Sequence, residues 1–377
     1  MHTRTPTYLT RRRVISHAAT AVAAIASPAL VLAASQSMIG LSLPKTGIQA
    51  EIASDLLSGY ELALKASGSA LGLKVLDDQS KEDLTAQSVA TLAGDPSVLV
   101  TSGIVGTPHA IAALPVALAK SLPVVGLRSG ADVLRTGKPG VYHLRASFGQ
   151  EIAKLVALVK GSSLSAMVAI CSNDAFGKGV AKQLQAEMAT QNVRLLEVIF
   201  AERDGSDMLI AAERAAKLVK ANNGVAVGVF LLLIAKPMNQ AAQLLRVQHS
   251  LIMPLFAMSF VTTKSIVTSP DQHLVGLGLV TAFPLPSSAE VLAMQYSAAV
   301  AKYGKPEMLY SLTSLEGYFY GSVIAAAASG AHTRDGIQRK LTSGLSLAQK
   351  DIRFDENGSG YNFTQIVRKS DGGRLRA

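Results

Sequence analysis

A single cysteine, Cys171, in 377 residues excludes an internal disulfide, and no Cys/His cluster has metal-ligand spacing. Cys171 lies in the apolar run "AMVAIC", where a small buried thiol is the expected role. Tryptophan is absent, aromatic residues make up 5% of the chain and charged residues 16%. No dense Lys/Arg block is interleaved with aromatics, so nucleic-acid binding has little support. The seven histidines are scattered and no G-x-S-x-G signature appears, which leaves no recognisable catalytic constellation. What the chain has instead is aliphatic content. With 49% apolar residues and low charge it reads as an α/β protein with buried parallel strands. Its length exceeds what one core organises well, so two compact units are expected.

The first 34 residues stand apart. "TRRRVISHAATAVAAIASPALVLAAS" opens with Arg11, Arg12 and Arg13, continues uncharged from Val14 to Ala34 and ends in small residues. That is the three-part plan of an export signal, with cleavage expected near Ala33 or Ala34. The order Thr10-Arg-Arg-Arg13-Val14 is similar to a twin-arginine signal, although the general secretory route stays open. The 21 uncharged residues are also long enough to span a bilayer, so a retained anchor is the alternative; the Ala-rich composition and Pro28 favour cleavage. No cysteine lies nearby to carry a lipid. Four arginines and no acid fall in this segment, so the net charge of +10 leaves +6 for the rest, a modest value for a solvated basic surface. Export without disulfides suits a bacterial periplasm.

Beyond the signal, strand-like and helix-like segments alternate. "MIGLSLP", "LKVLDD", "SVLVTS" and "LPVVGL" read as strands, separated by helical patterns such as "IASDLLSGYELALKAS" and "TPHAIAALPVALAKS", the latter in spite of Pro115. The pattern restarts at "EIAKLVALVKG" and "SAMVAICSN" and runs to "LIMPLFAMS". This predicts right-handed parallel βαβ units in two doubly wound lobes. From about Thr281 the chain turns helical and closes with two strand candidates, "KDIRFD" and "YNFTQIVRK".

One loop invites a functional reading. "SGIVGTPHAIAALP", residues 102–115, carries the chain from a strand edge into a helix, with Thr107 expected as N-cap and Pro108 as first helical residue. Free N–H groups and the helix dipole there favour a negative group. It is not a Walker loop, because Gly-Thr-Pro stands where Gly-Lys-Ser/Thr is required. Nor is it a dinucleotide fingerprint, since "LSLPKTG" follows the first strand. A small anion or polar group, or plain helix capping, are both compatible with it.

The run "IGLSLPKTGIQAEIASDLLSGYELAL" resembles the opening of the periplasmic leucine/isoleucine/valine-binding-protein family, the type I solute receptors of ABC importers. "VTSGIVGTPHAIAALPVALAKSLPVVGLRSGADVLR", "YHLRAS", "SNDAFGKGVAKQLQ" and "SLEGYFYGSVIAAA" continue the likeness in the family's order, over residues 38–370. The resemblance implies two lobes joined by three crossovers: 35–148 with 281–349, and 149–280 with 350–377. They close around one small solute, which is delivered to an ABC-type inner-membrane permease. A monomer without catalytic groups, cofactor or metal is implied. A sensor of the same fold acting in signalling is the alternative, and an exported enzyme a third.

Residue by residue, the resemblance places Gly106 and Thr107 where the first lobe holds a ligand carboxylate with a hydroxyl and N–H groups. Ser129 and Gly130 match a second loop that adds such contacts. Arg128 beside them is unusual: either a cation meeting an acidic ligand or, the favoured reading, a surface arginine pointing away. Phe176 in "DAFG" matches an aromatic wall of the second lobe or packs a helix start, and Asp174 is expected to cap. The departure lies in "LFAMSFVT": amino-acid binders of the family offer a carboxylate near here, whereas this chain has Ser259 and Phe260. A buried ammonium without an anion is costly, so a carboxylate or amide solute is expected rather than a zwitterionic branched-chain amino acid. Glu316 in "SLEGY" is the substitute charge or a structural residue, the latter favoured. Tyr310 and Tyr318 are pocket-edge candidates.

Overall fold

The computed structural model describes residues 1–3, 36–347 and 350–377. The export-signal reading of residues 1–34 therefore lies outside the described residues, apart from the first three. Ser37–Ala377 cluster as one unit, which carries everything below.

The first lobe opens with β1 (Met38–Leu43), α1 (Ala50–Ser67), β2 (Gly72–Asp77), α2 (Glu82–Gly94), β3 (Val98–Ser102), α3 (Thr107–Ala119), β4 (Val124–Val125) and β5 (Val141–Tyr142). The strands form a parallel sheet in the order β2-β1-β3-β4-β5. β3 is buried along its whole length and edge strand β2 is half-buried throughout, which is why "VLVTS" is uniformly small or apolar and "GLKVLD" is not. Pro115 sits inside α3 without ending it. The carbonyl it deprives of a partner belongs to Ile111, on the exposed side of the helix, where water is available.

The chain then passes to a second sheet through α4 (Phe148–Lys160), β6 (Ala166–Ser172), α5 (Ala175–Thr190), β7 (Arg194–Ala201), α6 (Met208–Ala221), β8 (Val227–Leu232), α7 (Ala235–Gln243), β9 (Leu255–Ala257), α8 (Lys264–Thr268) and β10 (Gly278–Thr281). It then packs three helices on first-lobe elements, α9 (Val291–Tyr303), α10 (Leu312–Ala328) and α11 (Arg334–Ser343), followed by a separate two-stranded antiparallel sheet of β11 (Leu345–Leu347) and β12 (Lys350–Ile352). β13 (Gln365–Lys369) and β14 (Leu375–Arg376) finish the second sheet, ordered β14-β13-β10-β9-β8-β6-β7. β13 runs antiparallel to β10, and β14 antiparallel to β13, where the turn between the last two strands is too short for a crossover. The rest of the second sheet is parallel.

Helix α10 packs on α1 at glycine contacts. A side chain on Gly317 would meet Leu56 O at 2.2 Å, and one on Gly59 would meet Ser314 O at 2.1 Å. Only glycine lets the two helix backbones come this close, and the approach seats Glu316 in the molecular interior. In both sheets the strand order reverses beside the first strand, β1 and β3 in one lobe and β6 and β8 in the other. Loops leaving the carboxyl ends at such reversals are where open α/β sheets bind ligands. Those loops carry Gly106 and Thr107 in the first lobe and Asp174 and Phe176 in the second.

Candidate functional site

The start of α3 differs in detail from the expected cap. Gly106, at φ 105°, precedes the helix, and Thr107 is its first residue with no side-chain cap bond. The Thr107 hydroxyl instead meets the Ser129 hydroxyl at 2.9 Å, and Ser129 Oγ also accepts from Ala131 N–H at 3.3 Å. A partner on the neighbouring loop has won over the helix's own N–H groups. Gly106 N–H donates to the Arg128 carbonyl at 3.3 Å, tying the two loops together. Gly130 packs on the chain's first passage between lobes: Phe148 N–H donates to its carbonyl at 2.6 Å, and a Cβ there would stand 2.8 Å from the Phe148 ring.

Arg128 does not point away. It is 0% exposed, and the surface reading is overturned. Its guanidinium lies 4.8 Å from the centre of the Phe260 ring, its Nε stands 3.2 Å from Glu316 Oε2, and Nη2 donates to Thr313 Oγ1 at 3.0 Å. Nη1 makes no hydrogen bond. Loop and helix contacts on the first lobe pull this arginine inward, where Glu316 supplies the countercharge. Burial still lowers its pKa, with Glu316 opposing the shift.

Glu316 also accepts from Arg145 Nη1 at 3.0 Å and from Tyr320 Oη at 2.6 Å. Arg145, in the segment that crosses between lobes, continues to Glu151 at 3.1 Å and to the Ser259 hydroxyl. Glu151 accepts from Ser259 N–H at 3.0 Å and from its hydroxyl at 2.8 Å. Burial alone would lower Arg145, but Glu316 and Glu151 outweigh it and the net shift is upward. Two arginines and two carboxylates thus balance inside the protein, bridging first-lobe Glu316 to second-lobe Glu151. Removing one member of such a set leaves an uncompensated buried charge.

The second lobe adds an aromatic face. Phe148 and Phe176 meet edge-on at 5.3 Å, Phe176 and Phe260 stack at 5.3 Å, and Phe148 stands 6.2 Å from Phe260. Local sequence sets these rings. Ser147 and Gln150 form a reciprocal capping box at the head of α4, at 3.2 and 2.9 Å, which aims Phe148 and Glu151 inward. Asp174 caps α5 by accepting Gly177 N–H at 2.9 Å, which places Phe176.

All eight sequence-predicted residues therefore join one connected constellation: Gly106, Thr107, Arg128, Ser129, Gly130, Phe176, Ser259 and Glu316. Glu316 is paired with arginines, consistent with the structural reading. Tyr318 packs against Tyr296 at 5.5 Å, and Tyr310 lines a separate cavity of about 260 Å³ with Val267, Leu285 and Leu312. Arg145, Glu151 and Phe148 were missed as site residues. Glu151 carried a signal: in "FGQEIAKLV" it falls on the apolar stripe with Phe148, Ile152 and Leu155, and all four are buried. No group of metal-ligating side chains occurs among the described residues, and no helix there is long and apolar enough to cross a membrane.

Further contacts span the crevice mouth. Arg203, on the loop between β7 and α6, pairs with Asp174 and donates to Gln49 Oε1 of the first lobe at 2.9 Å. Glu51 accepts from Ser265 N–H and Oγ at 2.6 and 2.5 Å, Asp55 from Lys264 N–H at 3.3 Å, and Asp132 from Gln183.

Two α/β lobes whose switch-point loops meet around one buried polar and aromatic cluster have the architecture of a two-lobed solute-binding protein. The periplasmic binding protein family model matches residues 37–349, and the chain belongs to that family. Its members bind solutes rather than transform them. No curated protein sequence matches. Among solved structures, a substrate-binding periplasmic protein from Ralstonia solanacearum is 21% identical with a TM-score of 0.79, over 90% of this chain and 99% of that one. A possible leucine/isoleucine/valine-binding protein from Rhodopirellula baltica is 23% identical with a TM-score of 0.78, over 91% and 96%. An ABC transporter solute-binding protein from R. palustris, in complex with benzoate, is 15% identical with a TM-score of 0.79, over 90% and 95%. At these identities the likeness establishes the type I fold.

Proposed function

We propose that this protein is an exported, monomeric receptor that closes its lobes on a small organic carboxylate in the periplasm and delivers it to an ABC-type inner-membrane permease. One observation carries the ligand class. Both carboxylates of the cluster, Glu151 and Glu316, are already paired with Arg145 and Arg128, whereas Arg128 Nη1 is buried without a hydrogen bond. An ammonium brought here would meet carboxylates already paired with arginines, whereas a carboxylate would meet a buried Arg128 N–H that has no acceptor. Thr107, Ser129 and the N–H groups heading α3 add donors for the same group, each charge-assisted bond contributing roughly 1.5–3 kcal/mol. Phe176 and Phe260 offer an apolar face for the rest of the solute. The benzoate held by the R. palustris protein has this chemistry.

Calorimetric titration tests the reading, with benzoate and aliphatic carboxylates on one side and leucine, isoleucine and valine on the other. Binding of carboxylates with weak or absent amino-acid binding is expected. Tight leucine binding overturns it.

A further inference from the structure

A second cluster, Arg203, Asp174, Gln49 and His109, lies beside the head of α3. A Cβ placed on Gly106 would stand 3.0 Å from His109 Nδ1 and 3.4 Å from Arg203 Nη2, so imidazole and guanidinium converge over the first turn of α3. His109 belongs to the first lobe and Arg203 to the second. The histidine is 2% exposed, and neither of its nitrogens makes a hydrogen bond of good geometry. Gln49, which receives Arg203 through Oε1, is likewise 2% exposed, and its Nε2 is unpartnered.

We propose that Arg203 is the positioning residue that latches the two lobes together at their mouth, and that His109 beneath it makes the latch acid-labile. The proposal rests on the solute-capture reading only in requiring that the lobes open and close. Arg203 is suited to the task because its planar fork serves both lobes at once, one arm on Asp174 and the other on Gln49. The charged groups acting on His109 are Arg203 and Asp174. Burial, and then the Arg203 charge, hold the imidazole down at about 4, while the Ser80 carbonyl and Asp174 act more weakly the other way. When the lobes part, Arg203 leaves with the second lobe, and the ring loses that charge together with whatever burial the second lobe supplies, so its value rises toward ~6.5.

The direction follows from linkage. The closed form binds the proton less well than the open form, so closure is favoured above the open-form value. It weakens by up to about tenfold per pH unit as the pH falls from roughly 6.5 toward 4. Glu51 and Asp55 are further titratable groups spanning the lobes. Burial raises Asp55, which gives its titration the opposite sign. Substitution of His109 alone separates the two contributions.

The test uses the full chain with ¹³C-labelled histidine, with His109 assigned through His109→Gln and lobe separation followed by small-angle scattering without any solute. In the wild type, His109 is expected to titrate at about 4. In Arg203→Ala it should move toward ~6.5. Lobe separation should grow on acidification in the wild type and respond much less in His109→Gln. Arg203→Lys keeps the charge but not the fork that serves both lobes, so it should weaken closure, and the histidine shift should fall with the closed fraction. A His109 that titrates near ~6.5 in wild type and Arg203→Ala alike overturns the latch, as does an acid opening unchanged by His109→Gln. Benzoate failing to bind would count against the ligand class and leave these solute-free measurements intact.

Discussion

Two seams join the lobes, and they differ in kind. The inner seam, Arg128–Glu316–Arg145–Glu151–Ser259, lies by the crossover segment, and all its members are buried. The outer seam, at the crevice mouth, is built from part-exposed pairs: Arg203 and Asp174 retain 20% and 12% side-chain exposure, and Glu51–Ser265 and Asp132–Gln183 are exposed contacts. Buried charges are costly to separate because each would lose its countercharge in a low-dielectric interior. Part-exposed pairs are replaced cheaply by water. A binding protein needs both, one seam that keeps its geometry through every cycle and another that breaks each time the solute leaves.

Breaking the inner seam gives the largest expected effect. Arg145→Ala leaves Glu151 and Glu316 undercompensated and should cost about 3–5 kcal/mol of stability in urea denaturation; a loss below ~1 kcal/mol would erase the distinction between the seams. Next is Thr107→Ala, at the ligand face between them. It should weaken solute binding by about 1–3 kcal/mol in calorimetry while the protein stays folded; unchanged affinity would mean that the loop serves only the helix start.

Acid sharpens the comparison further. His143, by the crossover, is held at about 3, by burial first and Arg135 second, with its Nε2 3.2 Å from the Leu134 carbonyl. The unfolded chain takes up protons near ~6.5 that folded His143 and His109 refuse. Stability is therefore full above that value and should fall below it, by up to ~1.4 kcal/mol per pH unit for each histidine. His143→Gln should flatten the pH dependence of global unfolding, and His109→Gln that of lobe closure as well. The smallest effect is expected from Gln183→Ala at the mouth. Stability should change by less than ~1 kcal/mol, with faster solute release in stopped-flow measurements.

The sequence disclosed the site unevenly, for physical reasons. Thr107, Ser129 and Phe176 were legible because short loops at strand ends carry them in a recognisable order. Glu151 was legible in principle, as a carboxylate on an apolar helical stripe. The direction of Arg128 was not, because its burial depends on Glu316 and Phe260, which arrive from distant helix and loop segments. The contact between Arg203 and Gln49 spans 154 residues and leaves no local trace.

What the sequence determined by itself is the alternation of strands and helices and its restart as a second set, since hydrophobic period and turn chemistry act over a few residues. Which charges neutralise one another, and which remain open to a guest, was decided only when the lobes came together. Ion pairing depends on distance and burial in three dimensions, and neither is encoded in the spacing of residues along the chain.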